Sequence, residues 1–328
     1  MIEGKTMFGV AAVGASVIVG YGLYKYVQGR QSARKVKEAV DQMIKSIDKP
    51  NVYIRNYVGV REKLKKLYEG GPEKLQIISD FDKTLTKFVI NGEKGCTVYG
   101  VIESSKQFPE SYREKAKQLK EKYMPIEFSP DLSSAEKKPH MIEWWTKSHG
   151  LLTELGLKKN DISQMVEEAP VALRDGVEWF FVKLHEKKVP VLIISGGLGD
   201  LIKEVIDQQS TLYDNVTIIA NFFKYEQGVM VGFKEELLFS NNKKERTKDL
   251  PYFDKIKERT NVIVMGDLPD DAHVSDSPKY TEVTLTVGFL NEKVDEHLSN
   301  YMDAFDIVIV DDHSIELVDL LLMPILRA

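Results

Sequence analysis

The stretch LQIISDFDKTLT, from Leu75 to Thr86, decides the fold. Its first half, Leu75 to Ser79, is an apolar run too short for a helix. It follows the hard stop Gly70-Gly71-Pro72 and gives way to acids, so it reads as a buried strand. On an extended backbone residues i and i+2 point the same way, which projects Asp80 and Asp82 together from the strand's carboxyl end. Open α/β sheets bind their ligands at that edge. Two carboxylates converging there repel unless a divalent cation is shared or one of them holds a proton.

Working outward, four runs have the same unalternating apolar character: 189–195 (VPVLIIS), 215–221 (NVTIIAN), 261–267 (NVIVMGD) and 306–312 (DIVIVDD), with 285–290 (LTVGFL) as a further candidate. Amphipathic helical stretches at 177–188 and 200–209 lie between them. Continuous apolar strands alternating with helices predict a parallel sheet covered on both faces. Residues 222–239 differ: KYEQGVMVGF, with its central Gln-Gly, predicts a hairpin excursion. Residues 87–170 contain helical patterns separated by prolines and no convincing strand. An insertion of that length is too long for a simple crossover and predicts a helical cap. The expected organisation is an apolar segment with a basic flank (1–30), a helical region (31–72), a core (73–86 and 171–328) and the cap (87–170).

The chain has 328 residues, 43% apolar and 29% charged, which excludes a disordered, collagen-like or polytopic membrane protein. Forty-five basic against 50 acidic residues argue against a nucleic-acid polymer as partner. A single cysteine, Cys96, excludes an internal disulfide and a thiolate-only metal cluster. The N-terminus stands apart. Phe8 to Tyr24 carry no charge and as a helix would span roughly 26 Å, close to the ~30 Å hydrocarbon core of a bilayer. Lys25, Arg30, Arg34, Lys35 and Lys37 come next, against Lys5 in front, so the positive-inside rule places the rest of the chain in the cytosol. The expectation is a cytoplasmic catalytic domain, monomeric, anchored by residues 8–24 to a membrane such as the endoplasmic reticulum. A cleaved signal peptide and a buried core helix are the alternatives.

Two further strand ends carry chemistry. The run 189–195 closes on Ser195-Gly196-Gly197 and leads into a helix, a cradle for phosphate built from a hydroxyl, small residues and helix N–H groups. The run 261–267 closes on Asp267, with Asp270 and Asp271 just beyond. Acids from two strands of one parallel sheet can meet as oxygen ligands for a hard cation such as Mg²⁺.

In that order, DxDxT, hydrophobics-Ser-Gly, a lysine and hydrophobics-Gly-Asp-x-x-x-Asp resemble the haloacid dehalogenase (HAD) superfamily of aspartate-nucleophile phosphohydrolases. The stretches LQIISDFDKTLTKF, LKEKYMPIEFSP, MIEWWTKSHGLL, EVIDQQSTLYDNVTIIANFF and GFLNEKVDEHLSNYMDAFDIVIV narrow the likeness to the cytosolic 5′-nucleotidase III family, from Leu75 to Leu326. That family comprises pyrimidine-specific and 7-methylguanosine-phosphate-specific 5′-nucleotidases. The resemblance implies a HAD-like α/β fold, a three-layer parallel sheet with an inserted helical cap. It implies a Mg²⁺-dependent hydrolase that converts nucleoside monophosphates (CMP, UMP or 7-methyl-GMP) to nucleoside and phosphate through an aspartyl-phosphate.

Residue by residue, it implies Asp80 as nucleophile and Asp82 as general acid/base, with Asp80, Asp82 (by its side chain or its backbone carbonyl) and Asp267 on Mg²⁺. Ser195, Gly196 and Lys243 would hold the phosphate, and Glu127 and Ser148 the nucleoside, with support from Asp271 and Trp145. Two departures stand out. Asp270 occupies the place of Gly in the family's G-D-x-x-G-D, and NNKKE offers both Lys243 and Lys244 as the phosphate lysine. Trp144 and Trp145 offer faces on which a base can stack, or pack within the cap; His140 and His149 read as cap structure or surface. A phosphatase of another small ester, such as phosphoserine, and a membrane-tethered non-catalytic binding protein are the competing expectations.

Overall fold

The computed structural model describes the backbone of residues 5–127, 129, 131–248, 250–276, 280–311 and 313–328; side chains 5–24, 26, 134, 241, 275 and 276 are outside the description. A seven-stranded sheet organises the chain. Its strands are β1 (Val52–Tyr53), β2 (Leu75–Ser79), β3 (Val191–Leu198), β4 (Val216–Asn221), β5 (Asn261–Gly266), β6 (Val283–Leu290) and β7 (Ile307–Val310). They lie in the order β1-β7-β6-β5-β2-β3-β4, all parallel except the two-residue edge strand β1. The run Leu75–Ser79 is therefore the central strand, between β5 and β3.

Every residue of β2 is buried, and its side chains alternate between two cores. Ile77 joins the cluster formed with Val60, Leu64 and Leu67 of the helix Tyr57–Lys74 and with Leu321, Leu322 and Ile325 of the helix Glu316–Ile325. Ile78 points the other way, into a cluster with Leu192, Ile194, Val262, Val264, Leu238 and Phe253. Each such side chain contributes about 1.5–3 kcal/mol by leaving water. Burial on both faces is why these strands lack alternation. The helix before β2 breaks at Gly71, whose φ of 59° and the adjoining Pro72 turn the chain into the strand.

Between β2 and β3 the chain forms the helices Val98–Ser104, Glu110–Glu127, Ser134–Glu154 and Ile162–Glu168, and then Val177–Glu186. The expectation of no strand here is corrected by a small hairpin, Val89–Ile90 with Glu93–Lys94. Asn91 and Gly92, at φ 53° and 85°, make its turn. Asn-Gly is a hairpin signal, but two-residue arms are too short to show a period. The other hairpin, Phe223–Glu226 with Val229–Phe233, turns at Gln227-Gly228. It bonds to the inserted helical region through Lys159 N–H to the Gly228 carbonyl (2.9 Å) and Met230 N–H to the Leu157 carbonyl (2.8 Å).

The apolar segment 8–24 belongs to the helix Lys5–Ile47, but its side chains are outside the described residues. Among the described residues no helix is long and apolar enough to cross a membrane.

One buried acid that does not line the cavity at the sheet's edge sets a pH dependence. Asp319 is 8% exposed, its Oδ1 has no hydrogen-bond partner among the described residues, and burial, assisted by Glu316, pushes its carboxyl up to about 8. The ordinary value is 3.8, so the folded state binds this proton more tightly than the unfolded chain. The stability it contributes is complete below pH ~4 and is lost as pH rises through about 8. Asp319→Asn, neutral at every pH, is expected to raise Tm by roughly 2–4 °C at pH 9 and hardly at all at pH 5. Equal shifts at both pH values in thermal unfolding would show that the charge is not the cause.

Candidate active site

β2 delivers Asp80 to the carboxyl edge of the sheet, where its N–H still bonds the Met265 carbonyl of β5 (2.9 Å). The neighbouring strand β5 ends at Gly266, with Asp267 and Asp271 just beyond. The carboxylate oxygens of Asp80, Asp267 and Asp271 lie within 4.8 Å of one another. Gly266 is required for this approach: a Cβ there would stand 2.2 Å from the Cβ of Asp271. Lys243 Nζ, itself buried, donates to Asp80 Oδ1 (2.6 Å) and Asp271 Oδ1 (2.8 Å). Asp271 Oδ2 accepts the Leu268 N–H at 3.1 Å.

This crowding sets the electrostatics. Burial raises the Asp267 carboxyl well above its usual range, with Asp80 and Asp271 adding to the rise. Burial also brings Asp271 up to about 6, against the pull of Lys243. Burial alone would lower Lys243, but Asp271 and Asp80 more than reverse that and raise it. Of the two lysines of the NNKKE stretch, Lys243 is the one buried against the carboxylates, whereas Lys244 is exposed. Asp270 sits in the 3-10 turn Pro269–Asp276 outside the carboxylate cluster.

Of the residues expected around a cation, the side chains of Asp80 and Asp267 stand together, and Asp271 is the third carboxylate of the cluster. Asp82 turns away because the chain leaves the strand after Ser79: its Oδ1 accepts the Val98 N–H at 3.0 Å, at the first turn of the helix Val98–Ser104. Burial, reinforced by Asp80, pushes the Asp82 carboxyl up to about 7. A Cβ on Gly197 would come within 2.5 Å of Val98 and 3.2 Å of Asp82 Oδ2, so only glycine lets the two chain segments meet here.

Ser195, just past the last regular β3–β4 pair at Ile194, is buried and its Oγ accepts the Gly197 N–H (3.0 Å). Asn221 clips this turn to the segment leading to Lys243: its Nδ2 donates to the Gly196 and Leu238 carbonyls, each at 2.8 Å. Asn242 closes the same segment by accepting the Phe239 N–H (2.8 Å).

A cavity of about 610 Å³ opens above these groups. Asp80, Asp82, Ser195, Gly196, Lys243 and Asp267 line it at the sheet edge, and Glu127, Trp145, Ser148 and Tyr99 line it from the inserted helices. Asp271 lies behind Lys243. Glu127 Oε1 accepts from Ser240 Oγ (2.9 Å), and burial raises its carboxyl. Trp145 packs on Tyr99 and Trp144, each with ring centroids 4.7 Å apart, and its Nε1 is buried without a hydrogen-bond partner among the described residues.

His149 is more than surface. Its ring stacks on Phe233 at 3.5 Å, its Nε2 shares a 2.8 Å hydrogen bond with the Tyr99 hydroxyl, and burial lowers it to about 4. Sequence reasoning also passes over Tyr99, Asn221, Asn242, Arg174 and Asn291. Asn242 bonds within its own segment, whereas the others have partners remote in the chain.

Carboxylates and a buried lysine at the carboxyl ends of adjacent parallel strands, beneath a helical insertion, define a phosphohydrolase site of the HAD class. A HAD family hydrolase from Salmonella enterica serovar Typhi shares the fold (TM-score 0.50, 17% identity, 77% of this chain and 73% of that one). The family model for pyrimidine 5′-nucleotidase (UMPH-1) matches residues 83–326, and the chain belongs to that family of hydrolases.

Similar proteins include the 7-methylguanosine phosphate-specific 5′-nucleotidase A of Xenopus laevis (37% identity over 275 residues, 83% of this chain and 95% of that one). The 7-methylguanosine phosphate-specific 5′-nucleotidase of Homo sapiens is 37% identical over 285 residues, covering 86% and 95%. The crystal structure of cytosolic 5′-nucleotidase IIIB bound to cytidine superposes with a TM-score of 0.81 at 32% identity, covering 87% of this chain and 96% of that one.

Proposed function

We propose that this chain hydrolyses nucleoside 5′-monophosphates, CMP and UMP or 7-methyl-GMP, to nucleoside and phosphate. The observation that carries this reading is that one cavity joins a carboxylate–lysine floor to an aromatic wall of Trp145 and Tyr99. Its volume lies in the range of small-ligand sites. The floor suits a phosphoryl group and the wall a base, while the orphaned Trp145 Nε1 is a donor left over for a ligand.

Two buried carboxylates, Asp80 and Asp271, with the half-buried Asp267 fit a hard divalent cation, whose oxygen-only donor set they supply. Asp80, Asp267 and Asp271 would hold Mg²⁺. When bound, Mg²⁺ supplies positive charge against the phosphoryl oxygens.

The chain's own residues then divide the reaction. The Asp80 carboxylate attacks phosphorus, and the bond to the 5′-oxygen breaks. Asp82, which holds a proton near neutral pH, delivers it to that leaving oxygen. Asp82 next takes a proton from water, whose oxygen attacks the aspartyl-phosphate and releases phosphate, regenerating Asp80. Lys243, the Ser195 hydroxyl and the N–H groups after it bear the charge on the transferring phosphoryl. Glu127 and Ser148 contact the nucleoside.

The test is phosphate release with Mg²⁺ from CMP, UMP, 7-methyl-GMP and phosphoserine, using the wild type and Trp145→Ala. At least one nucleotide is expected to be turned over far faster than phosphoserine. Loss of a stacked base costs ~1–3 kcal/mol, so Trp145→Ala is expected to raise KM for that nucleotide about 5- to 150-fold. A preference for phosphoserine, or a KM untouched by the substitution, overturns the reading.

A further inference from the structure

We infer that Arg174, together with Asn291, is a positioning residue that sets the turn carrying Asp82; the role of Asp82 itself rests on the proposed phosphohydrolase function. β2 ends at Ser79, so the sheet ladder does not fix the backbone of residues 81–84. Lys83, directly after Asp82, has φ 59°, a left-handed conformation that a long side chain adopts only where its surroundings impose it. Three hydrogen bonds impose it here. The Lys83 carbonyl accepts from Arg174 Nη2 (2.8 Å) and from Asn291 Nδ2 (3.1 Å), and its N–H donates to Thr86 Oγ1 (2.7 Å). The next carbonyl, that of Thr84, accepts from Arg174 Nε at 2.9 Å.

The two positioning residues are themselves joined, Arg174 Nη2 donating to Asn291 Oδ1 at 2.7 Å. Arg174 is 2% exposed, and its guanidinium lies 4.4 Å from the Phe289 ring centroid. Its N–H also bonds the Leu85 carbonyl (2.8 Å). Burying a cation is costly, and this one directs its rigid fork onto two successive main-chain carbonyls of a single turn. Lysine, a point charge, cannot span both. Arg174 comes from the segment where the chain re-enters the sheet after the insertion, and Asn291 from the end of β6. With Val98 N–H on its other side, Asp82 is therefore held relative to Asp80 by elements remote from its own strand.

The experiment measures kcat and KM of purified full-length Arg174→Ala, Arg174→Lys and Asn291→Ala with the preferred nucleotide and with p-nitrophenyl phosphate. Misplacement of a catalytic group by about 1 Å costs on the order of 100-fold. Arg174→Ala is accordingly expected to lose about 100-fold in kcat with KM within about two-fold, and millimolar guanidinium to restore kcat at least ten-fold. Arg174→Lys is expected to stay close to Arg174→Ala.

Asn291→Ala, which leaves the guanidinium in place, is expected to lose about ten-fold in kcat at unchanged Tm and decides the matter if Arg174→Ala does not fold. An unchanged kcat in Asn291→Ala overturns the inference. So does a loss in Arg174→Ala that tracks the unfolded fraction and ignores guanidinium. If the wild type cleaves p-nitrophenyl phosphate but no nucleotide, the substrate reading fails while kcat on p-nitrophenyl phosphate still decides this one. Inertness toward both esters overturns both.

Discussion

Asp80→Asn is expected to eliminate phosphate release, by about 10⁴-fold or more, in a protein that folds normally. Removing the nucleophile of a covalent mechanism leaves only binding and electrostatic terms, which accounts for a loss of that size. The fold should survive because the substitution keeps size and a hydrogen-bond acceptor for Lys243, which still pairs with Asp271 at 2.8 Å. Mutual repulsion among Asp80, Asp267 and Asp271 also falls when one charge is removed, so without divalent cation Tm should equal or exceed that of the wild type. The decisive measurement traces labelled phosphate from substrate: the wild type should pass through a labelled-protein stage and Asp80→Asn should show none. A variant that keeps phosphate release within ten-fold of the wild type removes Asp80 from the nucleophile's role.

The reactive edge that this substitution probes is legible in the amino-acid sequence. A strand whose apolar residues do not alternate announces burial on both faces, and Ile77 and Ile78 do pack into separate cores. The turn beyond the strand is less legible. Period-two reasoning projects Asp80 and Asp82 side by side, yet it holds only while the backbone stays extended, and β2 stops at Ser79.

The carboxylate that completes the cluster is Asp271, brought in by a 3-10 turn whose geometry depends on Gly266 and on the Leu268 N–H. The pattern Gly-Asp-x-x-x-Asp separates that acid from its neighbour Asp270, but gives it only a supporting place and not one in the carboxylate cluster. Arg174 and His149 carry no pattern. One is defined by carbonyls 90 and 91 residues earlier in the chain, the other by a tyrosine and a phenylalanine on separate elements. Periodicity and edge chemistry are written locally in a chain, whereas a side chain whose meaning lies in a distant partner leaves no local mark.

Lys243→Met separates electrostatics from shape at the centre of the site. Methionine approximates the volume of lysine but carries no charge, and position 243 is 4% exposed, so packing is retained while Asp80, Asp267 and Asp271 lose their common counter-charge. Removing one partner of a buried ion pair costs about 3–5 kcal/mol, because the partner left behind is charged and dry. The carboxylates can escape that cost by taking up protons, which makes the penalty depend on pH. Asp271 already stands at about 6 with Lys243 beside it, and without the lysine it rises further.

A folded-state value raised above the unfolded one gives stability that is complete at low pH and disappears as pH climbs. In metal chelator, Lys243→Met is therefore expected to unfold near the wild-type Tm at pH 5 and well below it at pH 8. Excess Mg²⁺ should recover part of the pH 8 deficit, since a cation bound only by the folded state stabilises it by mass action. Activity should not recover with it: loss of one preorganised charge at the phosphoryl oxygens costs on the order of 10²–10³-fold in kcat. Equal Tm values for the two proteins at pH 8 in chelator would show that Lys243 does not neutralise the cluster, and that the three acids stay protonated together.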